Sequence, residues 1–365
     1  MASVSNSANI RVAVLGFGLA GRVFHCPFVS AVPGLELAAI VQRKGDEAAA
    51  AYPSARILRS VEDALADSSI DLIVVGTPND THFDLAVRAL QAGKHVVIDK
   101  PFAATGDEAL SLVALAKDTS RVLAPFHNRR FDGDFLTVQQ LLLEKTLGRI
   151  VQVVSRFDRY RPYQRPNTWK EASGPSNGMV FDLGPHLVDQ ALALFGVPDT
   201  VTANIRRDRD QTDIDDGFHI TLEYKAQRLL YECHATLLAA EPSPRFLIHG
   251  THGSYSKGGV DPQEPAIVAG ARPPHQDSPT PWLPEPESAW GTLTRATHLL
   301  DPITVERGLY PTLTGDYRRY YENVRDAILG SAPLAVTAED GYRSIRLLEQ
   351  AQQSAREGRS VNVAF

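Results

Sequence analysis

The chain has 365 residues, with 37 Lys+Arg against 43 Asp+Glu and a formal net charge of −6. That balance excludes a general nucleic-acid binder, which presents a basic face. A composition of 43% hydrophobic and 22% charged residues is that of a globular chain, not a disordered one. Two cysteines, Cys26 and Cys233, exclude a disulfide framework and a Cys-based zinc site. No apolar run approaches the roughly 20 residues of a membrane helix, and the opening MASVSNSANI is too polar and too poor in basic charge for a secretory signal. The expectation is a cytoplasmic protein with no membrane and no nucleic-acid partner, long enough for two domains.

In chain order, residues 11–15 (RVAVL) read as a strand that meets a Gly-rich turn, and 19–31 have helical spacing. Strands follow at 35–41, 71–75, 95–98 and from 122, separated by helical patterns at 61–66, 80–92 and 110–117. Near-continuous hydrophobic strands alternating with helices predict an α/β fold with a parallel sheet covered on both faces. After about residue 125 the pattern changes. A helix at 135–145 precedes strands at 150–157, 201–206, 218–224, 229–234 and 246–250, spaced like an antiparallel sheet. Residues 262–286 hold eight of the 24 prolines, which predicts no regular structure there. A segment of that kind is either functional or a mobile excursion. Two helical patterns, 317–329 and 340–356, end the chain. The expected domains are 1–125, a dinucleotide fold, and 126–365, an α+β domain for substrate and assembly whose last helix packs on the first.

Gly16-Phe17-Gly18-Leu19-Ala20-Gly21 is G-x-G-x-x-G between a strand and a helix pattern. In that context Gly16 permits the tight turn, Gly18 lets a pyrophosphate approach the main chain, and Gly21 lets the helix pack on the strand. The helix start offers N–H groups and about half a positive charge to the phosphates. An NAD site calls for an acid about 20 residues further on, for the ribose 2′-hydroxyl. Arg43 and Lys44 stand there, 22 and 23 residues after Gly21, and no carboxylate occurs before Asp46. Two cations suit a 2′-phosphate, so the expected cofactor is NADP in preference to NAD.

Gly76-Thr77-Pro78-Asn79-Asp80-Thr81-His82, followed by Gly93-Lys94-His95-Val96-Val97-Ile98-Asp99-Lys100-Pro101, resembles the Gfo/Idh/MocA oxidoreductase family. Members usually carry Glu-Lys-Pro where this chain has Asp99-Lys100-Pro101. A second family pattern, Asp followed four residues later by His, is met by Asp182-Leu183-Gly184-Pro185-His186. Residues 181–195 and 18–28 are most similar to the subgroup containing NADP-dependent scyllo-inositol dehydrogenases. The resemblance implies a Rossmann domain followed by an α+β domain with an open, mainly antiparallel sheet, whose uncovered face serves a homodimer or larger homo-oligomer. It implies that Lys100, Asp182 and His186 act together on a secondary alcohol, with no metal. An imidazole can take the hydroxyl proton and an ammonium can stabilise the charge that develops on oxygen. Pro185 suits the first turn of a helix that His186 then enters, with Asp182 at a capping position before it.

By the same resemblance Thr77, Pro78, Asn79, His82, Asp99 and Lys100 line the cofactor along with Gly16, Gly18, Leu19, Ala20, Gly21, Arg43 and Lys44. Asn128, Trp169 and Lys170 are candidates for the substrate, although the run 128–132 reads equally as a salt-bridge cluster at a helix entry. His249 and His252 lack acidic or Cys neighbours in sequence, and no metal is expected there. The expected function is NADP(H)-dependent hydride transfer at a polyol, inositol or sugar. Two alternatives stand beside it: a reductase of another small carbonyl, such as an anhydro-sugar or dihydrodiol, and a non-catalytic dinucleotide-sensing regulator.

Overall fold

The computed structural model describes residues 9–166, 168–174, 176–275 and 281–365; the Trp169 side chain, the first eight residues and 276–280 in the Pro-rich segment lie outside the described part. The chain forms two compact units. One comprises Met1–Asn128, Gln263–Trp282 and Asp316–Tyr342; the other comprises Arg129–Pro262, Leu283–Gly315 and Arg343–Phe365.

The first unit holds a six-stranded sheet of β1 (Ile10–Leu15), β2 (Leu35–Val41), β3 (Arg56–Leu58), β4 (Leu72–Val75), β5 (His95–Ile98) and β6 (Leu123–Pro125). The strand order is β3-β2-β1-β4-β5-β6 and every pairing is parallel. All four residues of β4 are buried, the signature of a strand covered on both faces. Strand order reverses between β1 and β4. In such sheets ligands bind at that point, beyond the carboxyl ends of the strands.

Helix Gly106–Asp118 starts at Thr105, whose hydroxyl accepts from Glu108 N at 3.2 Å. The expected single helix over 19–31 is broken differently: a π-helical turn, Gly21–His25, leads into an α-helix, Cys26–Ala31. Pro27 has no N–H to give to the preceding turn, which accounts for the wider winding just before it.

The Pro-rich segment departs from expectation. Gln263–Val268 is helical, because Pro265 falls in its first turn, where a main-chain N–H has no helical partner to lose. The segment is also anchored. Gln263 Oε1 accepts from Tyr317 N at 2.8 Å, Arg318 donates to the Pro274 carbonyl at 2.9 Å, and Trp282 meets Phe28 edge-on with ring centroids 5.7 Å apart.

The second unit holds a nine-stranded sheet of β7 (Ile150–Arg156), β8 (Thr200–Arg206), β9 (Gly217–Tyr224), β10 (Leu229–Thr236), β11 (Phe246–Gly250), β12 (Gly253–Lys257), β13 (Gly291–His298), β14 (Thr304–Tyr310) and β15 (Val361–Asn362). The order is β14-β13-β12-β11-β7-β10-β9-β8-β15; only β7 and β10 run parallel. Burial alternates along β9 and β10. Phe218, Ile220, Leu222, Tyr231 and Cys233 are buried, and helix Gly184–Phe195 contacts β10. The intervening residues face the other way and are half-exposed. No described helix is long and apolar enough to cross a membrane, and both cysteines are buried free thiols.

Candidate active site

In the first unit the site is built at the carboxyl ends of β1, β2, β4 and β5. Gly16 follows β1 with φ +97°, and its N–H donates to the Val41 carbonyl at 3.0 Å, tying the turn to the end of β2. A Cβ on Gly21 would stand 2.2 Å from the Gly16 carbonyl oxygen, so only glycine lets the helix start so close to the strand. A Cβ on Gly18 would meet nothing within 4 Å, and no side chain caps the helix start at Ala20. Leu19 is half-exposed at 51%. Open space over Gly18 and uncapped N–H groups beside it suit a pyrophosphate, so the residues present fit a dinucleotide.

Arg43 and Lys44 are exposed at the end of β2, and neither forms an ion pair among the described residues. Asp46, the nearest carboxylate, is engaged elsewhere. Arg59 donates to Asp46 Oδ1 at 2.6 Å, to the Gly45 carbonyl at 2.6 Å and to the Gln42 carbonyl at 3.0 Å. Gln42 Oε1 accepts from Ala48 N at 2.9 Å. The 42–46 loop is thereby held from β3, leaving two unpaired cations and a neutralised acid.

Thr77, Pro78 and Asn79 follow β4, with Thr77 Oγ1 2.6 Å from Thr81 Oγ1. His82 is fully buried. Its Nδ1 lies 2.8 Å from the Pro101 carbonyl and its Nε2 2.9 Å from the Thr77 carbonyl. Both ring nitrogens are thus spent on main chain, which joins the loop after β4 to the residue that follows Lys100.

Asp99 Oδ1 accepts from Lys100 N at 2.7 Å, and Oδ2 lies 3.7 Å from His25 Nε2. His25 is buried, with Nδ1 2.7 Å from the Tyr321 hydroxyl and its ring against Phe126. Burial alone would raise the Asp99 carboxyl; the facing His25 imidazole, with the charges of Lys100 and His82, brings it down to about 2. The shorter acid that replaces the family's usual Glu therefore turns inward and fixes the main chain at Lys100. His25 is the residue that sequence reasoning missed here.

A charge engaged in this way stabilises the fold wherever it is ionised. The folded value of about 2 lies below the ordinary 3.8. The contribution is therefore full above about pH 4 and disappears as pH falls toward 2, amounting to about 2 kcal/mol. Urea unfolding of the wild type and Asp99→Asn is expected to differ by about that amount near neutrality and to converge in acid. A pH-independent gap would show that the charge is not what Asp99 supplies.

In the second unit, Asp182 closes a short helical turn, Met179–Asp182, and His186 is the third residue of helix Gly184–Phe195, with Pro185 in its first turn as expected. Asp182 does not cap that helix. Leu183 occupies the cap position without a side-chain bond, because the preceding turn carries Asp182 past it. Asp182 is instead 3.6 Å from Lys170 Nζ, so these two candidates meet. Asp215, not anticipated from sequence, accepts from Val180 N at 2.7 Å, while its main-chain carbonyl accepts from Met179 N at 2.8 Å. Burial raises its carboxyl. Gly178 has φ +93° and a Cβ there would lie 2.2 Å from Asp215 Oδ1, so the turn bearing Asp182 is locked from below.

His186 is buried, with its ring edge-on to Phe157. The helix that carries it is held by a polar network. Arg130 makes a two-pronged bond to Asp189 at 2.8 and 2.6 Å. Gln190 donates to the Arg129 carbonyl at 2.9 Å and accepts from Arg245 at 2.7 Å. The guanidinium of Arg245 lies over Phe157 and 3.3 Å from Asp134. The charges of 129–132 thus follow the salt-bridge reading: Arg129 pairs with Asp132, and Arg130 pairs with Asp189. Asn128 is buried at the end of the first unit. Trp169 starts a 3₁₀ turn with Lys170, and its side chain lies outside the described part.

Residues 10–127 match the model of the oxidoreductase family's NAD-binding Rossmann fold, and residues 139–363 match that of its C-terminal alpha/beta domain. The oxidoreductase YdgJ of Escherichia coli K12 is 42% identical over 96% of this chain and 97% of its own length. The NADP(+) scyllo-inositol 2-dehydrogenase IolW of Bacillus subtilis is 36% identical over 96% of this chain and 95% of its own. Among solved structures, the oxidoreductase YvaA of Bacillus subtilis superposes with a TM-score of 0.91 at 34% identity, over 98% of this chain and 99% of that one.

Proposed function

The chain belongs to the Gfo/Idh/MocA oxidoreductase family and is an NAD(P)-dependent dehydrogenase, and we propose that it uses NADP(H) to interconvert a secondary alcohol and a ketone of a polyol, an inositol or a sugar. The observation that carries the choice of cofactor is the end of β2: Arg43 and Lys44 without ion-pair partners among the described residues, and Asp46 neutralised by Arg59. A 2′-phosphate gains two charge-assisted contacts there, whereas the carboxylates of that loop are engaged, Asp46 by Arg59 and Glu47 by the Gln42 side-chain amide. The kinship to a relative named for NADP(+) and scyllo-inositol supports the same reading.

When bound, the nicotinamide supplies the hydride acceptor and donor. The chain's own residues do the proton work. His186 takes the hydroxyl proton as general base, and Lys100 donates to the same oxygen and stabilises the charge that grows on it. Asp182 orients the alcohol or the imidazole, with Lys170 as its own counter-charge at 3.6 Å. Asp99 and His82 act one step back, holding the main chain on either side of Lys100.

The exposed side chains of Leu299, Leu300, Ile303, Val305 and Leu309, at or near β14, offer apolar surface to a second copy. A homodimer or larger homo-oligomer in the cytoplasm is the assembly we propose.

A panel of polyols, inositols and sugars, assayed by nicotinamide absorbance with NADP and NAD in parallel, tests the reading. Turnover of at least one polyol or sugar, faster with NADP, is expected. Activity restricted to a small non-sugar carbonyl would replace this substrate class, and preference for NAD would replace the cofactor.

A further inference from the structure

A second chemical cluster lies on the half-exposed face of the large sheet, among residues that the dehydrogenase reading leaves without a role. His219 on β9 and His234 on β10 are direct cross-strand partners. Their imidazoles stack with centroids 4.0 Å apart and planes 20° from parallel. Glu232 precedes His234 by two residues, so on a strand the two side chains share a face. Glu232 Oε2 lies 3.0 Å from His219 Nε2 and 3.3 Å from His234 Nε2. The three atoms fall within 4.8 Å of one another. Two imidazole nitrogens therefore lie close to one carboxylate oxygen.

We infer that His219, Glu232 and His234 form a binding site for a divalent transition metal of the zinc type. Two histidines and one carboxylate are a ligand set that zinc takes, with bond lengths of about 2.0–2.1 Å that place tetrahedral ligands about 3.3 Å apart. The separations of 3.0 and 3.3 Å to Glu232 already match. Binding moves each ring's proton to Nδ1, so that the Nε2 lone pairs face the metal, and the shared carboxylate oxygen becomes the third donor. Calcium and magnesium fit poorly, because they prefer sets made of oxygen alone.

The surroundings are those of a prepared site. Gln152 on the adjoining strand β7 donates to Glu232 Oε1 at 2.5 Å, which fixes the carboxylate and leaves Oε2 for a cation. Thr221 Oγ1 lies 3.2 Å from His219 Nε2. Both ligand-bearing strands are continuously hydrogen-bonded, so the donors are held on rigid backbone. His219 is 38% exposed against 18% for each of the other two, so water reaches a fourth position. Two features oppose: the rings stack nearly parallel, so one of them must rotate before both lone pairs reach one ion, and Arg156, beside His234 in register, adds positive charge, offset by Asp158 at 3.9 Å. All three donors come from one chain, so the site exists whether or not a second copy covers the face.

The test is calorimetric titration of the tag-free, chelator-stripped full chain with zinc chloride, with cobalt as the spectroscopic probe. One zinc per chain is expected, and cobalt should give the visible absorption of a low-symmetry site with imidazole ligands. His234→Ala and His219→Ala should each abolish the zinc event, and Gln152→Ala should weaken it by about 10-fold or more. Circular dichroism of each variant establishes folding; His219→Ala, at the more exposed position, carries the test if His234→Ala does not fold. No zinc event in the wild type, or an event that both histidine variants retain unchanged, overturns the inference.

Discussion

His186→Asn is expected to lower kcat by about 10²- to 10⁴-fold while the dissociation constant for NADPH stays unchanged. Asparagine preserves a hydrogen-bonding side chain of similar bulk at the third position of helix Gly184–Phe195, but it cannot take a proton. The helix itself is fixed through Asp189 and Gln190, whose bonds to Arg130 and Arg245 the substitution leaves in place. Loss of activity would therefore report proton transfer and not collapse of the site. Lys100→Met should likewise lower kcat, while the main-chain N–H at residue 100 stays on Asp99. Steady-state kinetics and fluorescence titration of NADPH separate the outcomes. Wild-type turnover in a Lys100→Ala protein that still binds NADPH would favour a dinucleotide-sensing regulator, or a different mechanism.

The second large effect concerns the choice of coenzyme. Replacing Arg43 and Lys44 together by alanine should raise KM for NADP by at least roughly 10- to 150-fold, the equivalent of one charge-assisted contact at about 1.5–3 kcal/mol. KM for NAD should hardly move. The asymmetry follows from the end of β2, where the cations have no other ionic partner among the described residues while Asp46 is held by Arg59. An equal loss for both coenzymes would mean that the pair contacts something the two share, such as the adenine or pyrophosphate. Raised salt should mimic the double variant in part, since exposed charges are screened.

How much of this could be read from the sequence depended on whether the signal was local. The run 95–98 (HVVI) coincides with β5, because a parallel strand covered on both faces is apolar nearly throughout, and the G-x-G-x-x-G turn lies where a strand meets a helix. Strands β12 to β14 passed unread. Their sequences, GSYSK, GTLTRATH and TVERGLY, are polar, and β14 is exposed along nearly its whole length, so no hydrophobic alternation marks it. The helix at Gln263–Val268 was hidden by a proline that its first turn tolerates.

Within the site, Lys100 and His186 were marked by motif, but their supports were not. Arg59 reaches the 42–46 loop only because β3 pairs beside β2, and His25 meets Asp99 and Tyr321 only once residues 74 and 296 apart in the chain are folded together. Glu232 and His234 show the strand period of two in the sequence. His219 joins them through the β9–β10 register, which periodicity alone does not reveal.

The unit that carries the dinucleotide turn is assembled from three separate stretches of chain. Tyr320 donates to the Pro125 carbonyl at 3.0 Å, Tyr321 meets His25, and Trp282 packs on Phe28. During synthesis, the nucleotide fold therefore emerges unfinished and must wait for the last seventh of the polypeptide before its interior is sealed. Cutting the gene after codon 128 would yield a fragment with an open apolar wound, a candidate for chaperones and not for coenzyme affinity columns.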